Sequence, residues 1–195
     1  MRIITKRIVV IGLVLVSIKA FPQKDNCAIE GINQKLMKVY KKDKGIREQL
    51  MPLLESYQED GKGKLKFLIL ALKMNRLDQR NQKVVLKLIG DCGWPEPLSK
   101  AAHNTIFLVL QHSSDSLRQQ YFPMVQKLAN KSFLKLEDEA LLFDRMQMNA
   151  GLAQKYGTQT FTNAEGNNQI WPVENLDSLE NYREKMGLPS TDVYV

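Results

Sequence analysis

Apolar residues recur with helical spacing from Cys27 to Gly151. Ile29, Ile32, Leu36, Val39 and Tyr40 follow at intervals of three, four, three and one, the stripe of an amphipathic helix. A second helix is expected over Leu50, Leu53, Leu54 and Tyr57, with Pro52 near its start or kinking it. Residues 64–75, KLKFLILALKMN, are apolar on most sides and read as a buried helix. Residues 78–89 set Val84, Val85, Leu88 and Ile89 on one face, before Gly90, Gly93 and Pro95 break the chain into a turn. Residues 101–111 contain Ile-Phe-Leu-Val-Leu, and their length and leading alanines favour a central helix over a strand. Further helices are expected over residues 121–130 and 137–149, the last closing at Gly151 as its C′ glycine.

The pattern changes near residue 150. Two short β-prone runs, 158–162 and 169–173, flank the polar stretch 163–168, which is a hairpin signal. Asp177 then opens a short helix, with Glu180 as its capping-box partner and Gly187 and Pro189 as its end. The expected fold class is mainly α: a single helical domain over residues 21–195, with a small C-terminal β-hairpin and a terminal helix within 156–188.

Residues 1–20 form a separate unit. Arg2, Lys6 and Arg7 precede an uncharged run from Ile8 to Ile18, and Lys19-Ala20 follow. This is the layout of a secretory signal peptide cut after Ala20. The run is shorter than the ~20 apolar residues of a spanning helix. The expected location is therefore periplasmic or extracellular, with no stable membrane anchor after cleavage. Removing this unit changes the meaning of the charge: four bases and no acid leave with it, and the net charge falls from +7 to +3. Lys41, Lys42, Lys44, Lys62, Lys64 and Lys66 then lie among acids such as Glu55, Glu59 and Asp60, without interleaved aromatics. They read as solvated helix ends, with no nucleic-acid partner. Gly61-Lys62-Gly63-Lys64 also lacks the length and ending of a phosphate loop.

The overall composition, 44% apolar and 25% charged, is that of an ordinary folded chain. Cys27 and Cys92 are the two cysteines, and sequence leaves both the bridged and the free state open. A bridge over a loop of that size would contribute about 4 kcal/mol. Neither has a Cys or His at ligand spacing, so no metal and no cofactor is expected.

Several polar residues interrupt the apolar faces. Asn81 lies with Leu77, Val85 and Leu88, and Asp78 is one turn earlier; His112 ends the buried helix; Asp144 and Arg145 sit among Ala140, Leu141, Leu142 and Met148. Burying such groups is costly unless they pair or line a cleft. His103 and His112, nine residues apart, point to opposite sides of one helix and cannot share a metal. His112-Ser113-Ser114-Asp115 is not a spatial triad, and the chain has no Gly-x-Ser-x-Gly elbow.

Gly93-Trp94-Pro95, Gln111-His112, Asp144-Arg145 and Gln154-x-Tyr156-Gly157-Thr158-Gln159, in that order, resemble a bacterial family of unknown function, numbered 6624. Asp43-x-x-x-Arg47, Asp78-x-x-Asn81, Arg183 and Gly187-Leu188 also look like its pattern, so the resemblance spans about residues 27–190. The chain departs from that pattern at Ser114, where relatives carry an acid, and at Lys44, where they carry Gln. The resemblance supplies positions and no chemistry.

Three readings stay open. The first is a polar-ligand-binding or protein-interaction module built on Gln111, Arg145, Gln154, Tyr156, Thr158, Gln159 and Arg183, with a sugar or peptide as the ligand type. Arg145 or Arg183 would hold a carboxylate or phosphate. The second is a hydrolase using His112 as general acid or base, oriented by Asp144. The third is a purely structural network. Asp43 with Arg47, and Asp78 with Asn81, are candidate structural pairs, because helix spacing accounts for them locally.

Overall fold

The structure is a computed structural model that describes residues 27–60, 63–163 and 166–191, with backbone alone over 55–60. The apolar run of residues 8–18 and the Ala20 site lie outside the described residues. Among the described residues, six helices and one two-stranded sheet follow in the order α1 (Ile29–Asp60), α2 (Lys64–Cys92), α3 (Lys100–Gln111), α4 (Asp115–Asn130), α5 (Leu136–Asn149), β1 (Thr160–Thr162), β2 (Asn168–Ile170) and α6 (Leu179–Lys185). The mainly α class with its small C-terminal hairpin and terminal helix is the observed architecture.

The first two helices are longer than the hydrophobic pattern indicates. Residues 41–49 look like a polar break, yet α1 runs through them and through Pro52. Local pairs carry the helix across: Asp43 with Arg47, and Lys44 with Glu48, each at i,i+4. The expected helices 64–75 and 78–89 are likewise one, α2. Residues 64–75 are not buried. Phe67, Leu70 and Met74 are partly covered, but Leu65, Leu68, Ile69 and Leu72 are exposed, so an apolar segment here does not mean a surrounded one.

α3 is the central helix and packs against α1, α2 and α4, while α5 packs on α4. Ser99 caps α3 by accepting a hydrogen bond from the Ala102 N–H at 3.2 Å. The core is a continuous cluster that includes Leu36, Val85, Ile106, Phe107, Leu110, Val125 and Leu142. Cys27 and Cys92 are bridged, with Cα atoms 5.6 Å apart, which ties the start of α1 to the end of α2. His103 is fully buried: the Trp94 indole donates to its Nδ1 at 2.9 Å. Nδ1 is therefore the acceptor, and Nε2 carries the proton it gives to the Glu96 carbonyl at 3.0 Å. Burial also holds this ring's pKa below the ordinary histidine value. His103 thus closes the 93–98 turn from inside the core, and Trp94 is core.

The C-terminal segment differs in detail from expectation. The strands are shorter, pairing Thr160 with Ile170 and Thr162 with Asn168 antiparallel. α6 begins at Leu179 after Ser178, and the Asp177–Glu180 capping box does not form. Glu180 instead accepts from the backbone N–H and the hydroxyl of Thr191. Gly187, at φ +71°, ends that helix in the left-handed region where glycine is favoured.

Candidate functional site

α1 and α2 lie side by side, and their facing polar residues meet the C-terminal end of α3. Arg47 donates from Nε to Asp43 Oδ2 at 2.8 Å and from Nη2 to Asp43 Oδ1 at 3.1 Å. The same Nη2 reaches Asp78 Oδ1 on α2 at 3.0 Å, and Nη1 approaches the Met74 sulfur at 3.6 Å. Asp43, Arg47 and Asp78 line a cleft of about 110 Å³, which Asn75, Gln79, Asn81, Gln82, Val109 and His112 complete. Asn75, Asp78, Gln79 and Gln82 are spaced i, i+3, i+4, i+7, a polar stripe at helical period. That spacing is the signal by which Asn75, Gln79 and Gln82 were detectable in sequence.

Asn81 departs from its expected pairing with Asp78. It is 4% exposed, and its Nδ2 has no hydrogen-bond partner among the described residues. A buried amide donor left unmet costs about 1–3 kcal/mol. Asp78 pairs instead with Arg47, because α1 brings a guanidinium to it. Burial pushes the Asp78 carboxyl above its ordinary pKa, against the pull of Arg47 and with Asp43 adding to the rise. Burial also opposes the charge on Arg47, but the hydrogen bond and charge of Asp43, with Asp78, outweigh it and raise its pKa.

His112 is exposed and lines the cleft. Burial, followed by the positive charges of Arg47 and Arg145, lowers its pKa to about 4; Asp43 opposes them and Arg118 adds to them. The ring is therefore neutral at pH 7, able to accept at one nitrogen and donate at the other. The charged groups acting on it do not include Asp144.

Asp144 has a different task. It is 0% exposed and accepts from the backbone N–H groups of Lys155 (2.9 Å), Tyr156 (3.1 Å to each oxygen) and Thr158 (3.0 Å), and from the Thr158 hydroxyl (2.9 Å). Both oxygens are engaged by the 155–158 turn, so it does not serve as the carboxylate that orients His112. Gln154, also fully buried, donates to the carbonyls of Gln159 (3.0 Å) and Trp171 (2.7 Å) and accepts from the Gln159 N–H (2.8 Å). Arg183, 2% exposed, donates to the carbonyls of Tyr156, Gly157 and Pro189. Gly157 sits at φ +65°, in the left-handed region that favours glycine. Gln154, Thr158, Gln159 and Arg183, expected at a ligand, thus satisfy one another and the backbone.

Tyr156 packs edge-on between Phe143 and Tyr182, and burial raises its phenol pKa. Arg145 donates from Nε to Gln159 Oε1 at 3.2 Å; burial, then Arg118, lowers its pKa. Gln111 gives its carbonyl to Arg118 Nη1 at 2.9 Å. Arg118 is a residue that sequence reasoning missed. It is 7% exposed, binds Asp115 through Nη2 at 2.5 Å, and Asn149 joins Asp115 at 2.8 Å. The Asp115-x-x-Arg118 spacing was its available signal.

A model of a family of unknown function, DUF6624, matches residues 30–195. The chain belongs to this family. No curated protein and no solved structure matches it. Within this DUF6624 chain the motif residues divide by task. Asp43, Arg47, Asp78 and Asn81 join His112 at an open cleft. Asp144, Gln154, Thr158, Gln159 and Arg183 fasten the segment between α5 and α6. Of the residues read as structural pairs, Asp43, Arg47 and Asp78 are partly exposed and Asn81 is buried, while most of those read as ligand contacts are internal.

Proposed function

We propose that this DUF6624 chain is a polar-ligand-binding module whose site is the α1–α2–α3 cleft. One observation carries the reading: the buried Asn81 Nδ2, a donor without a protein partner, in the wall of a cleft beside a neutral His112. Natural folds meet buried donors, and one left over at an open cleft fits a ligand acceptor. Asp78, one turn before Asn81 on α2, supports it from the same wall of the cleft. Its Oδ1 is held by Arg47, which leaves acceptor capacity on Oδ2 for a ligand N–H or O–H.

The complementary group therefore has an acceptor and a donor side by side, as an amide or a sugar's acetamido group does. At about 110 Å³ the cleft is below the roughly 300–1,000 Å³ of sites that enclose a whole small molecule. It fits the end group of a larger ligand. N-acetylglucosamine and N-acetyl-dialanine amide are suitable probes. Each should raise the unfolding midpoint of wild type, by ligand linkage, and leave Asn81→Leu unmoved. A midpoint unmoved by either compound at millimolar concentration would refute the reading. The proposal includes export through residues 1–20, and N-terminal sequencing of the secreted product should then begin at Phe21.

A further inference from the structure

The solvent side of α2 carries a second feature, remote from the argument for the cleft. Leu65, Leu68, Ile69 and Leu72 are spaced i, i+3, i+4, i+7 and stand 73%, 46%, 46% and 61% exposed. They make one apolar stripe on the outer face of a helix whose opposite face packs on α1. Met51 on α1 is also exposed. Single exposed apolar residues need no explanation, but four on one helical stripe do.

The flanks of this stripe are basic. Lys66, Lys73 and Arg80 recur at intervals of seven down one side, and Lys64 stands on the other. Two adjoining surface grooves, one at Lys64, Lys66 and Lys73 and one at Lys41, Lys42, Lys73, Arg76 and Arg80, have no carboxylate among the described residues that line them. None of these seven cations forms an ion pair among the described residues. In sequence these lysines stand among acids; folding collects them along one face.

We infer that this face is a docking surface for an anionic lipid membrane: the leucine–isoleucine stripe enters the acyl boundary and the flanking bases meet lipid phosphates. An apolar stripe between cationic flanks is the pattern of a helix lying in the interface plane. Charge argues against a second copy of the chain, since pairing this face with itself would oppose its lysines to one another. The occupant of complementary charge is a surface that is both anionic and apolar beneath, and a bilayer with acidic headgroups is both. No described helix is long and apolar enough to cross a membrane, so the contact is peripheral.

The test uses the full chain with a local reporter. An environment-sensitive dye on Leu68→Cys reads the stripe, and the same dye on Glu174→Cys, an exposed position in the C-terminal segment, is the control. Adding vesicles of phosphatidylcholine with phosphatidylglycerol should blue-shift the dye at 68 and not at 174; phosphatidylcholine alone should shift neither. Lys66→Glu with Lys73→Glu should weaken the response roughly tenfold or more, and high salt should do likewise. Unchanged circular dichroism and melting of these exposed variants show that the fold is kept. No shift at 68, or equal shifts at 68 and 174, overturns the inference. So does a shift that heparin elicits as well as vesicles, which would mark a polyanion surface, or one that appears with protein concentration alone, which would mark self-association.

Discussion

Arg47 on α1 and Asp78 on α2 are joined at 3.0 Å, thirty-one positions apart, by a guanidinium that also holds Asp43. This link crosses the two long helices at the cleft and decides which carboxylate oxygens stay available there. Removing Arg47 leaves Asp43 and Asp78 facing each other without a cation. Arg47→Met should destabilise the fold by about 2 kcal/mol, the loss of hydrogen bonds to charged groups. In urea unfolding, Asp78→Asn on that background should recover part of it, and a double-mutant cycle should give a non-zero coupling. Additive effects would mean the two residues do not interact.

The buried Asp144 carries the 155–158 turn. Asp144→Ala leaves three backbone N–H groups and a hydroxyl without their acceptor, at a cost of roughly 3–5 kcal/mol, as for breaking a buried charged partnership. Amide hydrogen exchange at Tyr156 and Thr158 should accelerate together. A loss of under ~1 kcal/mol with both amides still protected would contradict the assigned role.

His112 gives a pH signature with a definite sign. Its folded pKa, about 4, lies below the ordinary histidine value, so the unfolded chain binds the proton more readily. The stability tied to the neutral ring is complete above about pH 6.5 and declines as pH falls toward 4. His112→Gln should flatten that limb of the stability–pH curve. His103, whose pKa is also lowered, contributes in the same direction and remains in the variant, so the difference between the two curves isolates His112. Parallel curves would refute the assignment.

Reduction of the Cys27–Cys92 bridge should cost about 4 kcal/mol, since it frees a loop of 65 residues. The Cys27→Ser/Cys92→Ser protein should show the same loss and be indifferent to reductant. An unchanged melting temperature on reduction would contradict the structural role of the bridge.

Much of the fold was legible because helical periodicity survives in α3, α4, α5 and the inner face of α2, where core contacts dictate residue type. The fusion of segments into α1 and α2 was not. Asp43–Arg47 and Lys44–Glu48 hold residues 41–49 helical with Ile46 as the one apolar residue there, which a hydrophobic pattern does not register. Most of the polar residues were found, though not Arg118, and apart from Asp43–Arg47 their partners were not. Asp144 could not be assigned to backbone N–H groups, because such donors have no side-chain signature. Asn81 and His112 come together through the packing of α2 against α3, and no spacing within the chain encodes that meeting. The exposed stripe of α2 was misread for a related reason: apolar residue type alone does not say which face finds a neighbour.

The Asn81 side-chain amide tests the central claim most directly. Its donor is unmet in the free protein, so a ligand oxygen should move its Nδ2 proton and nitrogen resonances saturably when N-acetylglucosamine or N-acetyl-dialanine amide is added. The backbone amide of His112 should titrate with the same midpoint, and Asn81→Leu, which deletes the orphan donor, should abolish both responses without loss of stability. Static Asn81 resonances throughout both titrations, together with a marked loss of stability in Asn81→Leu, would contradict the account and make Asn81 a structural residue.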